Sequence, residues 1–84
     1  MERHVVVAAA DGLHARPAAV FVKTASAAGS PVTIGLEGSA KRVSADSILA
    51  VMSLGVVRGN TVVLESDDAT ALDELEKVLT DSSL

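Results

Sequence analysis

A chain of 84 residues has room for one domain, and at this size only about 60% of the unfolded surface is buried on folding, which excludes a deep pocket, a lid or a large organic cofactor. Hydrophobic residues make up 49% of the chain yet Phe21 is its one aromatic, so an aliphatic core is expected and disorder is excluded. A net charge of −4 argues against nucleic-acid or anionic-membrane partners, and the lack of cysteine removes disulfides, thiolate nucleophiles and thiolate metal sites and fits a reducing cytoplasm.

Glu2 to Ala8 is valine-rich and reads as a strand, with Val5, Val7 and Ala9 on its buried face and His4 and Val6 on the other. The apolar run Val5 to Ala10 is far shorter than the roughly 20 residues that span a bilayer, and Asp11 and Gly12 stop it in a turn. Pro17 suits the first turn of a helix over Ala18 to Ala28, with Phe21, Ala25 and Ala28 at helical spacing and Gly29 and Pro31 as the stop. Val32, Ile34 and Leu36 alternate with Thr33 and Gly35 as a half-buried strand. Glu37 to Ser39 turns the chain, and Ala40 to Ser44 returns as a short strand. Asp46-Ser47 caps a short helix, Ile48 to Leu54, which Gly55 ends. After Arg58-Gly59-Asn60, Thr61 to Ser66 is a further strand. Asp67-Asp68 then opens a last helix with the stripe Leu72, Leu75 and Leu79, their negative charge favourable at a helix start. The order is β-α-β-β-α-β-α in one domain spanning 1–84. One sheet with all three helices on a single face covers every apolar stripe. The fold class is therefore α+β, an open-faced sandwich with a four-stranded antiparallel sheet.

Gly12-Leu13-His14-Ala15-Arg16-Pro17 carries the chemistry. It places a histidine just ahead of a helix, where the first N–H groups lack intrahelical partners and carry partial positive charge. An anion held on His14 would accept bonds from the backbone of Ala15, Arg16 and Ala18. Arg16 adds a planar, permanently charged donor suited to phosphate oxygens. Neutral imidazole is a good nucleophile near pH 7, so one residue supplies the attacking nitrogen and its neighbours the electrostatics. His4 lies in a strand without a helix end beside it and receives no role. Neither a metal nor a cofactor is expected.

The run Gly12 to Ala18 resembles the active-site motif of HPr, the histidine phosphocarrier family of the bacterial sugar phosphotransferase system. Ser47-Ile48-Leu49-Ala50-Val51-Met52-Ser53-Leu54-Gly55 is similar to that family's regulatory-serine helix, and the likeness covers essentially the whole chain. The resemblance implies an HPr-like fold. It further implies phosphorylation of His14 on Nδ1 by the phosphohistidine of Enzyme I, onward transfer to a sugar-specific IIA component, and Arg16 beside the phosphoryl group. Such a protein is a stoichiometric carrier, not an enzyme, and is expected to be cytoplasmic and monomeric.

On a helical wheel Ile48, Val51 and Leu54 fall to one side of the short helix and Leu49, Met52 and Val56 to another. A helix on a sheet buries one stripe, so Leu49, Met52 and Val56, with Ala15 and Ala19, are expected to form a docking face. Ser47 has a plain capping role. By resemblance it is also a target for a serine kinase and phosphatase, and a phosphate there would place negative charge beside an apolar docking face. Asp11, Asp46 and a hairpin turn at 37–40 about two residues longer than usual depart from the family pattern. Competing readings are a regulatory binding module acting through Ser47, an acyl carrier protein suggested by Asp46-Ser47-Ile48-Leu49, and a small hydrolase using Ser47, His14 and an aspartate.

Overall fold

The computed structural model describes residues 1–84. Its elements are β1 (Glu2–Val6), α1 (Ala15–Ser26), β2 (Thr33–Leu36), β3 (Val43–Ser44), α2 (Ile48–Ser53), β4 (Thr61–Glu65) and α3 (Ala69–Thr80). The strands form one antiparallel sheet in the order β1-β4-β2-β3. The element order and the open-faced sandwich read from the sequence are both present. A four-stranded sheet is incompatible with the all-helical acyl carrier fold.

Register sorts the two faces. Val5 pairs with Val62, which pairs with Leu36, while Leu64 pairs with Ile34, and this valine- and leucine-rich face receives the helices. Phe21 and Ala25 of α1, Val51 of α2, and Leu72, Leu75 and Leu79 of α3 close over it in one core cluster. Each leucine fully removed from water contributes about 1.5–3 kcal/mol before entropy is counted. Arg3, on the same face at the sheet edge, pairs with Asp73 and Glu76 of α3. Asp68 caps α3 through the Ala71 N–H (3.1 Å) and also accepts from Gly29 (2.8 Å), so one carboxylate joins the end of α1 to the start of α3. Those backbone donors hold the Asp68 carboxyl below the usual carboxylate range, Gly29 first.

The returning strand is shorter than the expected Ala40 to Ser44, with just Val43 and Ser44 paired to β2. Gly35 explains the difference. A Cβ there would stand 2.3 Å from the Lys41 carbonyl oxygen and 2.5 Å from Arg42 Nη1. Residues 39–42 therefore cross over the open face of the sheet instead of extending its edge. Arg42 Nη1 donates to the Ser39 carbonyl (2.6 Å), fixing that crossing. No helix is long and apolar enough to cross a membrane.

Candidate functional site

After β1 the chain is tied to the end of α3, where the Ala8 and Ala9 N–H groups donate to the Leu79 carbonyl (2.8 and 3.3 Å). Gly12 turns it with φ +61, its N–H bonded to the Ala9 carbonyl at 2.9 Å. Leu13 is buried and its N–H donates to the Val56 carbonyl at 3.1 Å. The backbone is thus anchored one residue before His14.

His14 is the N-cap residue of α1, in extended conformation (φ −138, ψ 154), and its side chain makes no capping bond. The ring is exposed and forms no hydrogen bond or ion pair. At the starts of α2 and α3 a side chain satisfies the free amides, Ser47 at 3.4 Å and Asp68 at 3.1 Å. At α1 nothing does: the Ala15 and Arg16 N–H groups find no acceptor, and the Ala18 N–H does not return to the His14 carbonyl. The mouth of this helix is left open beside an unengaged imidazole, an arrangement suited to an anion.

The helix begins at Ala15 rather than at the expected Ala18, and Ala15 is left-handed with φ +52. A residue with a Cβ pays roughly 1–2 kcal/mol for that conformation. It persists because Leu13 is anchored on one side and Pro17 and Ala18 are buried on the other. Arg16 is exposed, and its charge helps to hold the Asp81 carboxyl below the usual range, after the larger effects of the Ser83 hydroxyl and Ser83 N–H. No group of three or more His, Asp or Glu side chains converges to hold a metal. The surface hollows, of about 280 to 390 Å³, lie elsewhere, and neither His14 nor Arg16 lines one.

Beside the site α1 packs against α2. Leu49 is 80% exposed, Ile48 is 39% exposed, Met52 is half-buried, and Ala15 and Ala19 of α1 are exposed. Val56, expected on this apolar surface, is instead buried at 3%, and its neighbour Val57 is the exposed one at 58%. Helical spacing fails there because the helix ends at Ser53 and Gly55 turns left-handed (φ +66). Ser47 caps α2 as expected, accepting from Ala50. Asp46 is exposed and accepts from the Ser44 hydroxyl at 2.5 Å, and the Asp11 side chain is exposed in the turn. Sequence reasoning missed the left-handed Ala15, the Val56 carbonyl beneath Leu13, and Asp81 near Arg16. The Gly12 of the motif was the one available signal for the second of these.

The family whose description reads PTS HPr component phosphorylation site matches residues 1–81. The chain is similar to the phosphocarrier protein HPr of Streptomyces coelicolor, with 48% identity over 77 residues that cover 92% of this chain and 82% of that one. To the phosphocarrier protein HPr of Haloferax volcanii it is 49% identical over 82 residues, covering 94% and 92%. The crystal structure of a phosphocarrier protein HPr from Bacillus anthracis superposes with a TM-score of 0.84 at 34% identity, over 94% of this chain and 95% of that one. On these matches, the chain belongs to the HPr family of phosphocarrier proteins of the phosphotransferase system.

Proposed function

We propose that His14 is the phosphoryl acceptor, charged by the phosphohistidine of Enzyme I and discharged to a histidine of a sugar-specific IIA component. In each step a nitrogen–phosphorus bond forms on the acceptor ring as the bond to the donor ring breaks, and the carrier ends as it began. The observation that carries this reading is an unengaged His14 ring at an uncapped helix start with free Ala15 and Arg16 amides. Nδ1 is the attacking atom, as in the family. The amides of Ala15, Arg16 and Ala18 receive the phosphoryl oxygens, and the exposed Arg16 guanidinium joins them.

Leu49, Met52, Ala15 and Ala19 form the docking face for both partners, with Val57 in the place first given to Val56. Ser47 caps α2, and a kinase that phosphorylates it would weaken docking by setting charge among these apolar side chains. The protein acts as a single HPr-like domain over 1–84, monomeric and in the cytoplasm. Incubation with Enzyme I and phosphoenolpyruvate, followed by intact mass measurement, tests the reading. One acid-labile phosphate on the wild type and none on His14→Ala is the expected result. No mass gain beside active Enzyme I overturns it.

A further inference from the structure

One peptide group, Val56–Val57, is held at both ends. Its carbonyl accepts from the Leu13 N–H at 3.1 Å. Its N–H donates to Asn60 Oδ1 at 2.9 Å. Asn60 closes the same turn with its own backbone, donating to the Val57 carbonyl at 3.0 Å around Gly59 (φ +92). Its carbonyl accepts from Val7 at 2.8 Å, which fastens the turn to the end of β1. Gly12 lies flat against this peptide, since a Cβ there would meet the Val56 carbonyl oxygen at 2.2 Å and Val57 Cα at 2.7 Å.

We infer that Asn60 is a positioning residue for His14, acting through the Val56–Val57 peptide and Leu13. The inference rests on the reading of His14 as the phosphoryl acceptor. The Asn60 amide oxygen fixes the peptide plane and polarises its carbonyl, and that carbonyl fixes Leu13. Leu13 then sets where the extended His14 and the left-handed Ala15 begin, a conformation that survives only where its flanks are held. Without the side-chain acceptor the peptide can tilt, Leu13 loosens and the ring samples positions away from the free amides. Asn60 itself makes no hydrogen bond to His14 or Arg16.

The test compares Asn60→Ala with Asn60→Asp, which keeps an acceptor at the same atom. Gly12→Ala would drive a methyl into the Val56 carbonyl and risks misfolding, so Asn60 is the cleaner site. In Asn60→Ala the Leu13 amide should exchange with solvent about tenfold faster, the size of one modest hydrogen bond, while the core amides of Phe21 and Leu72 keep their protection. Transfer from Enzyme I should lose kcat by about three- to tenfold with KM little changed, as for a group misplaced without loss of docking. Asn60→Asp should restore both. An unmoved Leu13 amide in Asn60→Ala, or an Asp variant no better than Ala, overturns the inference. Exchange is read on unphosphorylated protein, so a His14 that takes no phosphate overturns the carrier reading separately.

Discussion

The chain has two histidines, both exposed, and they differ in what their rings touch. His4 stands on the open face of the sheet between two carboxylates, with Nδ1 2.6 Å from Glu37 and Nε2 3.6 Å from Glu2. The hydrogen bond to Glu37 first, then the hydrogen bond to Glu2 and the charges of both carboxylates, push its pKa above the ordinary histidine value. Its Nδ1 is already engaged by Glu37, and the two carboxylates repel an incoming phosphoryl group. His14 has no carboxylate in contact and stands at a helix start whose first backbone donors are free. What separates the proposed acceptor from the other histidine is the company of the ring, not its exposure.

The sharpest way to break this contrast is to remove the cation beside His14 and leave the one near the other face. Arg16→Ala should slow phosphoryl transfer about 10- to 100-fold, since a charge-assisted hydrogen bond is worth about 1.5–3 kcal/mol. Arg42→Ala, across the sheet at Gly35, should leave the rate unchanged. Rapid-quench kinetics with Enzyme I reads both. Next in size, Met52→Glu should raise KM for Enzyme I about tenfold, as for loss of one apolar contact in an interface. Its circular dichroism should match the wild type, because the half-buried Met52 stands outside the core cluster.

Ser47→Ala separates the cap from the chemistry. Urea unfolding should report a loss of about 1 kcal/mol, typical of a missing N-cap, with His14 still accepting phosphate at an unchanged rate. The smallest effect belongs to His4. Because its folded-state pKa is raised, its contribution to stability is fully present below the ordinary value of about 6.5 and disappears as pH rises through the raised one. The melting temperature should therefore decline slightly over that window in the wild type. His4→Gln should flatten the decline without touching phosphorylation.

The helix stripes, the strand alternation and the position of His14 were legible because each depends on local spacing or on a residue with one strong preference. Pro17 and Asp68 mark helix starts, and Leu72, Leu75 and Leu79 fall on one stripe by period alone. What was not legible depends on contacts between segments distant in sequence. Val56 was assigned to the exposed face by extending a helical wheel past Gly55, where the chain has already left the helix. The strand at Ala40 to Arg42 is missing because those residues cross over Gly35, and a glycine inside an alternating run does not announce what will lie on it. Ala15 gives no sign in its own identity of a left-handed backbone, since that conformation is imposed by Leu13 and Pro17 on either side.

The most direct measurement places the phosphate on one of the two rings. Protein labelled with nitrogen-15 in its imidazoles, charged by Enzyme I and phosphoenolpyruvate, is followed by long-range proton–nitrogen correlation together with phosphorus-31 spectra. The account predicts a phosphorus–nitrogen coupling at Nδ1 of His14 alone, with the His4 ring unchanged beside Glu37. A phosphorus signal coupled to His4, or a His14 ring that stays unmodified while Enzyme I is charged, would contradict it.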